Sequence, residues 1–345
     1  SIASAKIIGI LEICNIFAKI IEEKKMKKIL SMGNALTDIL FQIHNDETLS
    51  GLKLKKGSMQ LVNAVKSEEI TTLFNDFPTT MATGGSAANT IKGITKLGLE
   101  GGFIGKVCDD FIGSFFLEDS RNNGIKPHLK FSDTASGHCT VLISPDGERT
   151  LCTFLGAASE LSADDLESSV FSDYDIFHIE GYLVQDHNLI RTALQMAKKA
   201  GLTVSLDLAS FNVVEENLDF LHEIIIDYVD IIFANEEEAK AFTGKNPFDA
   251  LTDISHMCDI AIVKLGKDGS LIRNGGKTDE IVPSGNIRVD STGAGDMYAA
   301  GFLYGLANDY PLNICGKIGS LVSGHVVQVV GTNMTTETWS EIYAG

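Results

Sequence analysis

Seven residues in the last fifth of the chain have the types and spacing that phosphoryl transfer requires. Residues 290–296 read DSTGAGD and lead into the helical sequence MYAAGFLYGLA. Small residues at a helix start leave the backbone N–H groups of Gly293, Ala294 and Gly295 uncovered, and with the helix dipole these groups favour a phosphoryl group's negative charge. Asp296, in the first turn, is placed to accept the proton of an attacking hydroxyl. The alternative is a glycine-rich turn with a first-turn carboxylate, but the full motif and its helix favour the anion site.

A second glycine-rich segment, GGSAAN at residues 84–89, also precedes a predicted helix. Gly84 and Gly85 have no side chains, so a ligand can approach the backbone closely, and Asn89 can hydrogen-bond a hydroxyl group. A plain helix start capped by Ser86 explains the same residues equally well. The segment is a candidate acceptor site with that alternative open.

The segment GNALTD, residues 33–38, ends the first predicted strand, where ligand loops lie in α/β folds. Asn34 and Asp38 offer a donor and acceptors suited to two neighbouring sugar hydroxyls. The competing explanation is an asparagine-containing turn.

Two further segments follow predicted strands. In NEEE, residues 235–238, acidic residues at the carboxyl end of a strand can hold Mg²⁺ directly or through its waters, although an acidic helix start can also serve only the helix dipole. In KLGKDGS, residues 264–270, a tight turn would place the backbone and Lys264 near a nucleotide. A β-hairpin turn would have the same sequence pattern.

These segments require a scaffold of alternating strands and helices. Short apolar runs predict strands at Ile29–Gly33, Gly102–Val107, Ile176–Gly181, Thr203–Leu208, Val229–Ala234 and Ile260–Leu265. Segments of helical period between them predict helices at Ser86–Leu97, Asp109–Asn122, His187–Ala200, Val214–Ile226 and Glu236–Thr243. This alternation predicts an α/β fold: a doubly wound, mostly parallel sheet with helices on both faces.

Two β-like insertions interrupt the alternation and predict a small β-sheet lid. Residues 135–156 contain two extended runs joined by PDGE, a strong hairpin signal, and residues 41–66 form a second, partly extended stretch. No flexible linker or repeat divides the chain. We therefore expect one domain over residues 26–345, with both insertions covering the cleft.

Composition limits the partners. The 345 residues carry a formal net charge of −18 with scattered basic residues, which argues against nucleic acid or an anionic membrane as the main partner. Six widely spaced cysteines without a C-x-x-C pair indicate reduced thiols in a cytoplasmic protein. Residues 1–25 are too polar to span a bilayer and lack a secretory signal, so we expect an N-terminal extension outside the core.

Together these motifs resemble the PfkB/ribokinase family of carbohydrate and nucleoside kinases, from about Lys28 to the C-terminus. The most specific element is DSTGAGD at 290–296, supported by GGSAAN at 84–89 and NEEE at 235–238 in the family's order. The resemblance implies a ribokinase-like fold with a small β lid, and ATP with Mg²⁺ as the phosphoryl donor. The acceptor would be a small sugar or nucleoside, and the protein a monomer or homodimer.

The resemblance also implies roles for single residues. It makes Asp296 the catalytic base and the backbone of residues 293–295 the anion hole. The implied acceptor-binding residues are Asn34, Asp38, Gly84, Gly85 and Asn89. The implied contacts of Mg²⁺ and ATP are Asn235, Glu238, Lys264, Gly266 and Gly269, with Ser320 at the adenine. Some members bind a monovalent cation such as K⁺, and Asp290 and Thr292 lie where that site would be.

Within the family, residues 33–62 and 84–98 most resemble the adenosine kinase branch, so we expect an adenosine 5′-hydroxyl as the acceptor. A kinase for free ribose or fructose is the alternative enzyme. A non-catalytic sugar- or nucleoside-binding protein on the same scaffold is the alternative of another class, and the intact Asp296 argues against it. The family often has threonine at the positions of Ser291 and Lys264.

Overall fold

Fourteen strands are described in the computed structural model, which covers residues 26–74, 79–285 and 289–344. The predicted N-terminal extension, residues 1–25, lies outside the described residues. In chain order the strands are β1 (Ile29–Met32), β2 (Leu36–Gln42), β3 (Met59–Leu61), β4 (Thr80–Gly84), β5 (Gly101–Cys108), β6 (Ile125–Ser132), β7 (His138–Ile143), β8 (Arg149–Phe154), β9 (Ile176–Glu180), β10 (Thr203–Asp207), β11 (Ile231–Asn235), β12 (Ile260–Lys264), β13 (Ser270–Asn274) and β14 (Lys277–Ile281).

Nine of these strands form one large sheet in the order β14-β13-β12-β11-β10-β9-β1-β5-β6. The strands from β12 to β6 pair in parallel, whereas β13 and β14 add an antiparallel edge. All six strands predicted from the sequence lie in the parallel part. Their nearly continuous apolar runs suit strands that are covered on both faces. The predicted mostly parallel, doubly wound sheet is confirmed.

Within the described residues, thirteen α-helices connect and cover the strands. They are α1 (Glu47–Gly51), α2 (Ala64–Leu73), α3 (Ser86–Lys96), α4 (Phe111–Asn122), α5 (Ser168–Phe171), α6 (His187–Ala200), α7 (Phe211–Glu216), α8 (Leu218–Tyr228), α9 (Glu236–Thr243), α10 (Pro247–Ile254), α11 (Ala294–Ala307), α12 (Leu312–Val326) and α13 (Thr336–Ala344). The single helix predicted for Val214–Ile226 is wrong, because Asn217 interrupts it. Its side chain donates to the Val213 carbonyl at 2.9 Å, a local bond that competes with helix continuation.

Two separate cores lie on the two faces of the large sheet. Successive residues of a strand point to opposite faces, so Leu30 packs into one core and Ile29 into the other. Helices α6, α8, α9 and α10 cover the first face. Helices α3, α4 and α11 cover the second, and Phe302 of α11 is fully buried there. The sheet therefore holds α3 and α11, which carry the two glycine-rich motifs, on the same face.

The second sheet has five strands in the order β3-β8-β7-β2-β4. Strands β7 and β8 form the hairpin predicted from PDGE. The sheet also takes β2 and β4, which lie largely outside the predicted segments 41–66 and 135–156. Asp38 therefore lies within a strand and not in the loop that we expected after β1. The loop is only three residues long, residues 33–35, before β2 begins.

The two faces of the second sheet differ in character. The strand register places on one face the side chains of Asp38, Leu40, Cys139, Val141, Ile143, Arg149 and Leu151. The opposite face packs Ile39, Phe41 and Leu142 against residues of α1 and α2 in a small core of its own. The second sheet is thus independently packed, and its first face is available for a ligand.

No helix in residues 26–74, 79–285 and 289–344 is long and apolar enough to cross a membrane. The cysteines of these segments form no disulfide and are all free thiols.

Candidate active site

Five neighbouring strands of the large sheet end in polar residues at the same edge. The order β12-β11-β10-β9-β1 brings together the ends of these strands, and parallel strands present their carboxyl ends on one side. The residues at or just after these ends are Lys264, Asn235, Asp207, Glu180 and Asn34. This edge is where an open α/β sheet binds its ligands.

The start of α11 lies beside the start of α3, and Asp296 is held between them. One carboxylate oxygen of Asp296 accepts from the Ser86 hydroxyl at 2.7 Å, and the other accepts from Asn89 Nδ2 at 2.9 Å. Burial raises the pKa of Asp296 to about 6, although both donors stabilise the charged form and act in the opposite direction. Asp296 is therefore oriented, ionised at neutral pH and close to the proton affinity that a general base needs.

Residues 293–295 form the turn that begins α11. Gly293 has a φ of +72°, and a Cβ there would lie 2.3 Å from Thr332 Cγ2, so the position requires glycine. The backbone N–H groups of the first helical turn have no partner within the helix. The Ala294 N–H donates to the Ser291 carbonyl at 3.2 Å, so this group is not bare as the sequence predicted, and the anion hole at residues 293–295 stays a prediction.

Lys264 places a positive charge at the same turn. Its Nζ forms an ion pair with Asp207 Oδ2 at 2.7 Å, and a Cβ added to Gly295 would lie 3.1 Å from that nitrogen. Burial acts to lower the pKa of Lys264, but the charges of Asp207 and Glu238 outweigh it and raise the pKa. Lys264, at a position where the family often has threonine, thus contributes a permanent cation beside residues 293–295.

The other residues of the predicted nucleotide site lie in one turn and one helix. Gly266 and Gly269 lie in the turn of the antiparallel β12–β13 hairpin, so the hairpin alternative describes this segment. Gly269 has a φ of +94°, and a Cβ there would meet the Ile281 carbonyl at 1.9 Å. Ser320, on α12, accepts from the backbone N–H of Ser284 and donates to the Val282 carbonyl.

Asn235 and Glu238 form a reciprocal cap at the start of α9. Asn235 Oδ1 accepts from the Glu238 N–H at 2.9 Å, and Glu238 Oε2 accepts from the Asn235 N–H at 2.8 Å. Burial, followed by the negative charge of Asp207, raises the pKa of Glu238. Both carboxylate oxygens of Glu238 accept from Asn235, Oε1 from the side-chain Nδ2 at 2.6 Å, so Mg²⁺ would have to be held here through its waters, and this site stays a prediction. Within the described residues, no group of three or more His, Cys, Asp or Glu side chains has metal-binding geometry.

The predicted acceptor residues surround the loop between β1 and β2. The Asn34 amide donates to Glu180 Oε1 at 2.7 Å, so part of its hydrogen-bonding capacity is used inside the protein. Asp38 lies against Gly84, where a Cβ would be 2.4 Å from Asp38 Oδ1. Burial raises the pKa of Asp38 to about 6. At Gly85 a Cβ would lie 2.4 Å from the Asn34 carbonyl, so both glycines permit this close approach.

Arg149 connects the second sheet to the loop before the anion hole. This buried guanidinium donates from Nη1 to Asp290 and to Thr292 Oγ1, the latter at 3.0 Å. The two side chains predicted for a monovalent cation therefore contact a cationic side chain of the protein itself. Arg149 Nε is buried and has no hydrogen-bond partner among the described residues.

A cleft of about 1070 Å³ separates the open face of the second sheet from this loop. Its lining includes Leu40, Ile143 and Leu151 from the sheet, and Asp290 and Thr292 from the loop. The cleft is large enough for a nucleoside-sized ligand.

Four residues of the site were not singled out from the sequence: Glu180, Asp207, Arg149 and Thr332. Glu180 accepts from the backbone N–H groups of Asn34 and Ala87, and so joins the β1–β2 loop to the start of α3. Burial raises its pKa to about 7. A usable signal existed for Glu180 and Asp207, because each is an acidic residue at the carboxyl end of a predicted strand.

Comparison with known proteins decides the family. The family model described as "pfkB family carbohydrate kinase" matches residues 58–339. The chain belongs to the PfkB family. As a PfkB kinase it is a phosphotransferase with an alcohol group as acceptor, and the family resemblance seen in its motifs is confirmed.

Relatives of this PfkB kinase carry different substrate names. The crystal structure of adenosine kinase from Sinorhizobium meliloti is 32% identical, with a TM-score of 0.82, and the match covers 93% of this chain and 99% of that one. A probable sugar kinase from Rhizobium etli is 31% identical, with a TM-score of 0.82 and coverage of 92% and 98%. The 5-dehydro-2-deoxygluconokinase of Geobacillus kaustophilus is 30% identical over 71% of this chain and 78% of its own. The acceptor is therefore a sugar or nucleoside whose identity these likenesses do not distinguish.

Proposed function

We propose that this PfkB kinase transfers the γ-phosphoryl group of ATP to the 5′-hydroxyl of adenosine. The observation that carries the proposal is the open face of the second sheet. Asp38 lies on the same face as Leu40, Ile143 and Leu151, so a carboxylate suited to the two ribose hydroxyls adjoins an apolar surface suited to a purine. A free sugar would gain little binding free energy from that apolar surface. Each sugar hydroxyl left there without a hydrogen-bond partner would cost about 1–3 kcal/mol of binding free energy.

The nucleotide end of the proposed site uses residues 293–295, Lys264 and Glu238. The backbone N–H groups of the turn and the Lys264 ammonium stabilise the charge of the transferring phosphoryl group. Asn235 and Glu238 would hold the Mg²⁺ of the ATP complex, which neutralises phosphate charge. Gly266, Gly269 and Ser320 would border the nucleotide. The free thiols fit our expectation of a cytoplasmic enzyme.

Proton transfer belongs to Asp296 in this proposal. The Asp296 carboxylate takes the proton of the 5′-hydroxyl as that oxygen attacks the γ-phosphorus and the bond to the β,γ-bridging oxygen breaks, which releases ADP. Ser86 and Asn89 fix the orientation of the carboxylate. Asn34, Asp38, Gly84 and Gly85 form the acceptor cradle, which would hold the ribose so that its primary hydroxyl reaches Asp296. Closure of the second sheet over the cleft would exclude water. This matters because water can attack ATP in competition with the acceptor hydroxyl.

The acceptor assignment is tested by steady-state assays with ATP and Mg²⁺. We expect kcat/KM for adenosine to exceed that for ribose, fructose and 5-dehydro-2-deoxygluconate by at least tenfold. The sugar acid belongs in this panel because the Arg149 guanidinium on the same face offers a partner for a carboxylate. If a sugar or sugar acid is the better substrate, the family assignment stands and the nucleoside proposal is wrong.

A matched pair of variants tests the apolar face. Leu40→Ser should lower kcat/KM for adenosine about tenfold, since an apolar side chain contributes about 1.5–3 kcal/mol when buried, and should change the value for ribose much less. Ile226→Ser, at an exposed position of α8, is the control and should change neither. Equal losses with both acceptors after Leu40→Ser would argue against base recognition at this face.

The pH dependence of the reaction follows from the raised pKa of Asp296. A general base works only when ionised, so kcat should fall as the pH drops below about 6, where the Asp296 carboxylate becomes protonated. The buried Glu180 also has a pKa raised to about 7. If protonation of Asp296 causes the fall in kcat, the residual kcat of Asp296→Asn should not fall as the pH drops below about 6. An unchanged decline in that variant would assign it to another carboxyl group.

A further inference from the structure

Three consecutive residues before the C-terminal helix contact the loop that precedes α11 and two positions of α3. The Gly331 N–H donates to Asp290 Oδ2 at 2.8 Å, and Asn333 Oδ1 accepts from Lys92 Nζ at 2.6 Å. Between them, Thr332 Oγ1 donates to Asn89 Oδ1 at 3.1 Å. Because the neighbours on both sides are anchored, the Thr332 hydroxyl has a fixed position.

The bond from Thr332 determines which end of the Asn89 amide faces the catalytic carboxylate. An amide has an oxygen acceptor at one end and a nitrogen donor at the other, and a half turn exchanges them. With Oδ1 held by the Thr332 hydroxyl, Nδ2 points to Asp296 Oδ2 at 2.9 Å. The reversed amide would place its oxygen against the Asp296 carboxylate. The two groups would repel each other, and Asp296 would lose one of its two side-chain donors.

We propose that Thr332 is a positioning residue, whose hydroxyl orients the Asn89 amide and thereby the Asp296 carboxylate for proton transfer. Thr332 and Asn89 are 6% and 5% exposed, so water does not readily replace the missing partner. This inference deepens the proposed function, because it rests on Asp296 as the base. It does not depend on which acceptor the enzyme uses.

The hydroxyl and the methyl group of Thr332 have different contacts and can be tested separately. The methyl group Cγ2 packs against Gly293, where an added Cβ would be only 2.3 Å from it. Thr332→Val keeps the shape and the methyl contact but removes the hydroxyl. Thr332→Ser keeps the hydroxyl but removes the methyl contact. A purely structural role of Thr332 predicts that serine is at least as harmful as valine.

The experiment measures kcat and both KM values of the full-length protein with its best acceptor, together with the melting temperature. We expect Thr332→Val to lower kcat about tenfold to a hundredfold, with KM for ATP nearly unchanged. Thr332→Ser should retain most of kcat even though it loses packing. In an Asn89→Ala background, Thr332→Val should add almost no further loss, because the group on which the hydroxyl acts is gone.

A normal kcat for Thr332→Val would overturn the proposal. It would also be overturned if the double variant lost kcat by the product of the factors that Thr332→Val and Asn89→Ala each cause alone. Asp296→Asn, measured in parallel, separates this proposal from the one it rests on. An active Asp296→Asn enzyme would overturn the assignment of the base itself. An inactive Asp296→Asn enzyme alongside a fully active Thr332→Val enzyme would overturn the role of Thr332 alone.

Discussion

Asp296→Asn is expected to lower kcat by about 10²–10⁴, the usual contribution of general acid–base catalysis. The substitution keeps the size of the side chain and can still accept from the Ser86 hydroxyl, so the start of α11 should keep its structure. What it loses is the ability to take a proton from the acceptor. The affinity for ATP should change little, because the base acts on the acceptor hydroxyl and not on the nucleotide.

The loss should appear in single-turnover and steady-state rates with adenosine, and binding of ATP is measured separately by calorimetry. Asp219→Asn is the matched control, since Asp219 is an exposed carboxylate in the first turn of α8. It should leave kcat unchanged. A near-normal kcat for Asp296→Asn, with the control also normal, would show that the proton leaves by another route.

Arg149→Met should lower kcat by about 10²–10³ and destabilise the fold. The guanidinium contacts Asp290 and Thr292 in the loop that leads to the anion hole. Its removal leaves the Asp290 charge uncompensated beside the place where negative charge accumulates during phosphoryl transfer. In other phosphoryl-transfer enzymes, an arginine that stabilises the negative charge of the transition state increases kcat by a factor of about 10³–10⁵. Breaking a buried ion pair on one side typically costs about 3–5 kcal/mol of folding free energy.

Arg191→Met is the matched control for charge removal. Arg191 pairs with Glu223 at an exposed position, where an ion pair contributes little to the stability of the fold. Free guanidinium at millimolar concentration should restore part of the activity of Arg149→Met, which a folding defect would not allow.

We also expect the wild-type enzyme to be active without K⁺, and the activity of Arg149→Met to increase when K⁺ is added, since Asp290 and Thr292 would then be open to a cation. A fully active Arg149→Met enzyme would contradict the role.

The parts of the molecule that follow from local sequence were predictable. The turn at residues 293–295 and its first-turn Asp296 are neighbours along the chain, so their composition alone indicates an anion site. The strands of the parallel sheet are predictable because burial on both faces imposes apolar runs. Strands β2 and β4 escaped prediction because both contain polar residues, and because β4 leads into glycines that serve close contacts with Asp38 and Asn34.

The remaining features depend on which strands become neighbours. Lys264 remains a predicted nucleotide contact, but its ion-pair partner Asp207, 57 residues earlier at the end of β10, was not predictable. Arg149, in the second sheet, finds its partner Asp290 141 residues later, in the loop before α11. No periodicity or local motif encodes such distances. They follow from the order of the strands in each sheet, which the sequence pattern limits but does not fix.

The residues around Asp296 come from distant parts of the chain, and this has a consequence for folding. Its bond with Asn89 closes a loop of 207 residues, and the bond from Thr332 to Asn89 joins residues 243 apart. Contacts that close long loops carry a larger entropic cost and tend to form late. A chain that has formed only its local helices and hairpins would therefore contain the glycine-rich turns, but the contacts that orient Asp296 would not yet have formed. Partly folded molecules would then be unable to consume ATP, and catalytic competence would report completion of the native structure.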